Sequence, residues 1–474
     1  MNRLKGHFLD LFFNPERVAV VGASRNRNTT NYWLVANLVS LKFPGKIYPV
    51  NPNAEEIVGL KAYPSVKNIE DEVDLAVISV PASATLDVVK DCVAKKVKGI
   101  TIVAGGFSET GTGGKKIQDE IRGLLKENGI RAIGPNALSP VNTANNFVVG
   151  FGAVDKMPRG GLSFIFQSGL YQPRLNWLLS DFHLNLNKLI DLGNKMDINE
   201  VDALEYLGQD EGTTVIALHL ESIAGDARKF IRLMKETTRR KPVIVLKSGR
   251  TAAGAKAAES HTAALMKTTD ATVDAALKQS GAIRVEGLDE FFDLAKVFEY
   301  MPPLKNNRVA IATFSGGEGV ITTDFAQLHG LVLAEPGAEA EKKLRTIFPP
   351  WDMPLNPFDL GVATQFHRDK DAFEIVADAY ASDPNVDCMA IQMTGMPRPW
   401  LKKPETERDD LGSLYSKATE GGKAVAIMIM APSGGGEEVT KHLEANRIPV
   451  YPSAERAVRA LGALYKYSVL RGRG

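Results

Sequence analysis

The feature that most constrains the fold is a series of short, almost unbroken apolar runs, each closed by Gly, Pro, Ser or Asn. In the first third these are RVAVVGAS (17–24), KIYPVNP (46–52), DLAVISVPAS (74–83), GITIVAGGF (99–107) and IRAIGPN (130–136). Between them lie longer stretches such as ATLDVVKDCVAKKV and GGKKIQDEIRGLLKENG, whose apolar positions recur at helical spacing. A Val/Ile run without polar alternation has no face to offer water, so it belongs in a parallel sheet covered by helices on both sides. Strand and helix in alternation then give right-handed βαβ units. Residues 1–152 read as a Rossmann-like domain.

FGAVDKMPRGG (151–161) breaks the pattern and marks a boundary. A second series follows: GLSFIFQSG (161–169), TTVIALHLES (213–222) and KPVIVLKSG (241–249). YMPPLKNNR (300–308) reads as a second linker, and a third series runs through VAIATFSGGEG (309–319), VDCMAIQM (386–393) and KAVAIMIMA (423–431). Both later series open with a strand entering a Ser-Gly turn, at Ser168-Gly169 and at Ser315-Gly316. They read as a degenerate repeat of two flavodoxin-like domains, 158–300 and 306–474. The chain is thus expected to be α/β throughout, with chemistry at the Gly/Ser turns beyond the carboxyl ends of the strands.

Composition removes most special classes. Lys+Arg 57 against Asp+Glu 56 gives a net charge of +1, with no field to hold nucleic acid or an anionic membrane. No apolar run approaches the ~20 residues that cross a bilayer, and MNRLKGHFLDLFFNPERV carries an acid inside its apolar stretch, unlike a signal peptide. Cys92 and Cys388 are far apart and lack metal-ligand spacing, so no metal site and a reducing cytoplasm are expected.

Gly22-Ala23-Ser24 follows the first strand and opens the loop before a helix, where backbone N–H groups can hold a phosphate. The dinucleotide fingerprint is absent: GASRNRN has one glycine, and the second strand ends in Val50-Asn51-Pro52-Asn53 without a ribose-binding carboxylate. A nucleotide-containing ligand other than NAD is expected, against the plainer reading that Gly22 serves only a tight turn.

Among seven histidines, His261 stands apart in SGRTAAGAKAAESHTAAL (248–265), a Gly/Ala/Ser run read as a mobile loop, with a helix able to start after Thr262. Such a histidine is a candidate for nucleophilic phosphoryl transfer. The alternative is an Ala-rich helix with a histidine near its cap. Ser168 in FQSG can hold a phosphoryl group at a strand-end turn. Glu221 in ALHLES ends the neighbouring strand, where a carboxylate can fix the histidine tautomer. Alone, Glu221 reads as a solvated loop acid.

GAS, PVNP, DLAVISVPA, AGGFSETG and GPN, in that order, resemble the CoA-binding domain of the ADP-forming acyl-CoA synthetases and of the succinyl-CoA synthetase α subunit. That resemblance implies CoA at Gly22, Ala23, Ser24, Asn51, Pro81, Gly105, Gly106 and Asn136. Ala137 departs from the family's Cys. The likeness continues through IFQSG, DLGNKMDINEVDALEYLGQD, ALHLES, KPVIVLKSGRTAAGAKAAESHTAAL, TFSGGEGV and NPFDL, similar to the α part of the ADP-forming synthetases. It implies that His261 is phosphorylated, that Glu221 orients it, and that Ser168 and Gly169 hold phosphate. Lys247 and Gly249 match without an assigned role.

Two departures stand out. Thr262-Ala263-Ala264-Leu265-Met266-Lys267 replaces a run with two glycines, and Leu170-Tyr171-Gln172-Pro173 stands where small residues are usual, making Tyr171 and Gln172 acyl-pocket candidates. The resemblance implies a hetero-oligomer: ATP/ADP with Mg belongs to an ATP-grasp β partner, and the substrate is a small carboxylic acid. The rival reading is a CoA- or acyl-CoA-binding regulatory protein that has lost phosphoryl transfer, supported by the altered HTAALMK run.

Overall fold

The computed structural model describes residues 6–138, 140–167, 169, 171, 182–262, 269–393, 415, 417–429 and 436–472, with the backbone alone at 259–262 and 369–371. The chain forms two compact units, Met1–Phe291 and Phe292–Gly474.

In the first unit, β1 (Arg17–Val21), β2 (Lys46–Val50), β3 (Leu75–Ile78), β4 (Gly99–Ile102) and β5 (Arg131–Ile133) form a wholly parallel sheet in the order β2-β1-β3-β4-β5. The unbroken runs have the cause the sequence implies. Val18, Val20, Leu75 and Val77 point into one core, while Ala19, Val21, Ala76 and Ile78 point into another on the opposite face. Helices α1 (Thr30–Ser40), α2 (Ala82–Ala94) and α3 (Thr112–Glu127) connect these strands. The sheet order reverses between β1 and β3, so the loops after them open a crevice at the carboxyl ends.

A second sheet in the same unit contains β6 (Val141–Asn142), β7 (Arg159–Phe166), β8 (Leu186–Asp191), β9 (Val215–Leu220), β10 (Val243–Lys247) and β11 (Ile283–Val285), in the order β11-β10-β9-β7-β8-β6. All neighbours are parallel except β6, an antiparallel edge on β8. Residues 141–142, read from the sequence with the first series, therefore hydrogen-bond to the second sheet. One apolar core runs on from the first sheet to the second, from Val18 and Val20 through Phe147 and Val149 to Ile165, Ile190 and Leu218.

In the second unit, β12 (Arg308–Thr313), β13 (Val332–Leu333), β15 (Cys388–Gln392), β16 (Ala424–Met428) and β17 (Val450–Tyr451) lie in the order β13-β12-β15-β16-β17, with β14 (Phe358–Asp359) pairing off that path with β12. Leaving β6 and β14 aside, the three large sheets share one 2-1-3-4-5 order. The fold is α/β, with a Rossmann-like domain followed by two flavodoxin-like sheets. The repeat inferred from outline alone is thus a repeat of topology. Among the described residues, no helix is long and apolar enough to cross a membrane.

Candidate active site

The glycine after β1 is demanded by close backbone approach. Gly22 has φ +86°, and a Cβ there would stand 2.3 Å from the Ser79 carbonyl oxygen. Asn31 joins the two loops that flank the crevice by donating to Gly22 O at 2.8 Å and to Ser79 O at 2.9 Å, while Ser79 Oγ donates back to Asn31 Oδ1 at 3.0 Å. From the end of β2, Asn51 donates to Ala23 O at 2.8 Å. Ala23 is buried, Ser24 and Asn51 half-buried, and Pro81 exposed where it precedes α2. Each of these residues follows the carboxyl end of a strand, so the structure gathers them at one rim.

The loops after β4 and β5 complete that rim. Gly106 has φ +103°, and both Gly106 N and Phe107 N donate to Glu109 Oε1, at 2.6 and 3.2 Å. Asn136 has φ +59°, and its N–H donates to Ala104 O at 2.9 Å. Gly105 is exposed between them. Burial works to raise the Glu109 carboxyl, but the Asn194 amide and the backbone donors outweigh it and hold the pKa below the usual value.

At the carboxyl ends of the second sheet, polar groups are buried in number. Gln167, just past β7, accepts at Oε1 from Glu221 N (3.1 Å) and Ser222 N (3.0 Å), and its Nε2 donates to Ser222 Oγ at 3.2 Å. Lys247, the last residue of β10, donates from Nζ to Glu221 O at 2.7 Å. Glu221 is buried, not the solvated loop acid of the plainer reading. Burial is the main cause that lowers the Lys247 ammonium to about 8; Asp270 and Glu221 oppose it. Lys195 is buried with its Nζ 2.8 Å from Glu200 Oε2 and 2.7 Å from Ser222 O. Burial lowers its pKa, opposed first by Glu200 and then by Glu221. The Glu221 carboxylate thus acts on two buried ammonium groups at once.

His261 requires a correction. The run around it was expected to be a loop, with a helix starting after Thr262. Instead, helix α6 spans Ala252–Thr262, given that α4 is Glu200–Gln209 and α5 is Ala227–Thr238, so His261 occupies its last turn. Alanine has the highest helix propensity, and Thr251 Oγ1 accepts from Gly254 N at 3.0 Å to start the first turn. The anion-stabilising helix start therefore lies about two and a half turns before His261. Helix α6 packs against the short turn Ser108–Thr110 that follows Gly106, so the backbone bearing His261 runs beside the first sheet's rim.

Ser168 and Gln172 lie outside the described residues, as do 263–268. Gly169 is exposed, with open space where a side chain would stand. Tyr171, expected at an acyl pocket, is fully buried: its ring stacks on Phe166 and its hydroxyl lies 2.8 Å from His219 Nδ1. His219 Nε2 is in turn 3.1 Å from Ser248 Oγ, which makes this histidine part of the packed interior. Gln167, Lys195, Glu200 and the Glu109–Asn194 pair were missed by the sequence reading. The available signal was the polar cluster in DLGNKMDINE, between two apolar strands.

Comparison with known proteins agrees with this fold. Residues 16–142 match the model of the CoA binding domain, and residues 159–298 that of the succinyl-CoA ligase like flavodoxin domain. The α subunit of the ADP-forming acetate–CoA ligase I of Pyrococcus furiosus is 36% identical over 97% of this chain and 98% of its own length. This chain belongs to the ADP-forming acetate–CoA ligase family. As a family member it is a ligase-type chain with a CoA-binding domain. The ADP-forming acetate–CoA ligase II of Archaeoglobus fulgidus is 35% identical over 98% of this chain, which spans 67% of that protein. The ligase fold is also that of the dinucleotide forming acetyl-coenzyme A synthetase 1 of Ca. Korarchaeum cryptofilum, solved in complex with phosphate and ADP. That structure has a TM-score of 0.85 at 31% identity and covers 98% of this chain and 97% of its own.

Proposed function

We infer that the chain is the α-type part of an acid–CoA ligase that interconverts a carboxylic acid, ATP and CoA with acyl-CoA, ADP and phosphate. The phosphoryl group is carried between two distant sites on His261. In the thioester-forming direction, phospho-His261 passes its phosphoryl group to the acid, and the CoA thiol then displaces phosphate from the acyl phosphate. Glu221 fixes the imidazole tautomer and stabilises the charge that grows on the ring. Ser168 and Gly169 hold the phosphate. Gly22, Ala23, Ser24, Asn51, Pro81, Gly105, Gly106 and Asn136 form the CoA rim.

The single observation that carries this reading is the packing of the His261 helix against Ser108–Thr110, beside Gly105 and Gly106 and on the same unit as buried Glu221. The test is to supply acetyl-CoA with labelled phosphate and look for base-stable, acid-labile label on the chain. Incorporation in the wild type and none in His261→Asn is expected; label retained in that variant removes the assignment.

ATP with Mg is handled by an ATP-grasp partner, and the working enzyme is a cytoplasmic hetero-oligomer acting on a small carboxylic acid. The support is that the Pyrococcus furiosus relative, matched over nearly its full length, is itself an α subunit. The purified chain is expected to form no ADP from ATP, acetate and CoA until that partner is added. Turnover by the chain alone overturns this part of the reading.

A further inference from the structure

Between the rim of the first sheet and the Glu221 turn of the second runs a single loop, Gly193-Asn194-Lys195, that touches both. Gly193 has φ +53°, and a Cβ there would stand 2.2 Å from Pro135 O and 2.5 Å from Asn136 O. Asn194 N donates to Pro135 O at 2.9 Å, and its side-chain amide donates to Glu109 Oε2 at 2.6 Å. Glu109 uses its other oxygen for the N–H groups of Gly106 and Phe107. The next residue, Lys195, is itself left-handed at φ +54° and reaches Ser222 O. Its partner Glu200 accepts from Ala224 N at 2.7 Å and Gly225 N at 2.9 Å. Two adjacent side chains thus hold the Gly106–Phe107 turn on one side and the Ser222–Gly225 turn, which follows Glu221, on the other.

We propose that Asn194 and Lys195 are positioning residues: they couple ligand occupancy at Gly105–Phe107 to the placement of Glu221. This rests on the reading of that rim as the CoA site. A ligand that orders the rim restrains Glu109. Glu109 restrains Asn194, and the close packing of Gly193 on Pro135 and Asn136, with the Asn194 N–H bonded to Pro135 O, leaves the loop little room to absorb the change. The restraint then reaches Ser222 through Lys195 and reaches Ala224 and Gly225 through Glu200. Glu221 is oriented best when the rim is filled, so phosphoryl transfer is matched to the presence of the thiol.

Amide hydrogen exchange of the whole chain with and without CoA tests this directly. In the wild type, CoA is expected to slow exchange both at 105–107 and at 222–225, by about fivefold or more, the lower end of ordinary coupling between sites. In Asn194→Ala the slowing should persist at 105–107 and fall below about twofold at 222–225, with CoA-free exchange at 222–225 unchanged. The double variant Glu109→Gln, Asn194→Asp exchanges amide and carboxylate across the same hydrogen bond and should restore the response. It should also restore the rate of label incorporation from acetyl-CoA and phosphate, which the single variant lowers without raising KM for acetyl-CoA. A wild-type protein in which CoA protects 105–107 but not 222–225 overturns the coupling and leaves the CoA site standing. So does an Asn194→Ala protein that keeps the full response, or one whose 222–225 amides exchange faster without CoA. If CoA protects neither segment, the CoA site falls and the coupling with it.

Discussion

The second and third sheets share one strand order and differ at their carboxyl ends. In the second sheet those ends bury Gln167, Glu221, Lys247 and the Lys195–Glu200 pair, several of them bonded to one another's backbone. In the third, Gln392 Oε1 accepts from Phe314 N at 2.8 Å, and the space beside it is a cavity of about 290 Å³ lined in part by Ile321, Phe325 and Met428. Among the described residues of the second unit, buried ion pairs instead join helix to helix, as with Lys296 and Glu444 or Arg456 and Asp293. A shared topology therefore says where chemistry can be built, while buried charge at the strand ends marks where it has been built. Burying an ion costs several kcal/mol before its partners compensate, so such groups seldom collect without use.

The sharpest way to break this comparison is Glu221→Gln beside Gln392→Ala. The first is expected to slow labelling of the chain by roughly 10²–10⁴-fold, the range for losing a group that orients and charges a catalytic histidine. The second should change the labelling rate by less than about twofold, and comparable losses would erase the distinction between the sheets.

Lys195→Ala leaves Glu200 buried without its cation and is expected to cost about 3–5 kcal/mol of stability, read as a lower midpoint in denaturant. Lys296→Ala should cost a similar amount through Glu444, because both lysines are structural partners whatever their domain does. Unequal losses would show that the strand-end pair is held differently from the pair between helices.

Gly22→Ala should cost about 1–3 kcal/mol from the left-handed backbone alone, with displacement of the Ser79 carbonyl in addition, and should abolish CoA protection of the first rim. A stable Gly22→Ala protein that binds CoA normally would place the ligand elsewhere.

The last effect is a pH dependence. Because the folded pKa of Lys247 is about 8, below its ordinary value, the unfolded state binds the extra proton between about pH 8 and 10.5. The lysine's contribution therefore rises with pH in that window, by up to about 1.4 kcal/mol per unit. The stability of the wild type relative to Lys247→Met should grow from pH 8 to pH 10. A flat difference would mean that Lys247 is not held in a desolvated site.

Much of the fold was legible. Every apolar run singled out in the sequence contains a strand, since a strand buried on both faces favours apolar residues at successive positions. β8 escaped notice because Asn187 and Lys188 interrupt it; both are buried, and both bond Asp210, with Lys188 Nζ 2.9 Å from each carboxylate oxygen. Sequence patterns treat lysine as a surface residue, and only its partner twenty-two positions on explains its place. The short strands β13, β14 and β17 carry too few residues to show a period. Around His261 the structure follows the alternative reading, an Ala-rich helix with the histidine near its end, because alanine favours helix more than any other residue.

The sequence by itself determined the α/β class, the strand-end turns at Gly22, Gly105–Gly106 and Asn136, and the candidates Glu221 and His261, because each follows from local composition and chain order. Tertiary structure decided that Glu221 is buried with Lys247 bonded to its carbonyl, that Tyr171 is packed inside, and that Asn194 and Lys195 bridge the rim to the Glu221 turn. Those facts depend on residues far apart in the chain, such as Glu109 and Asn194 or Gln167 and Glu221, meeting where strand ends converge. No local pattern encodes such a meeting.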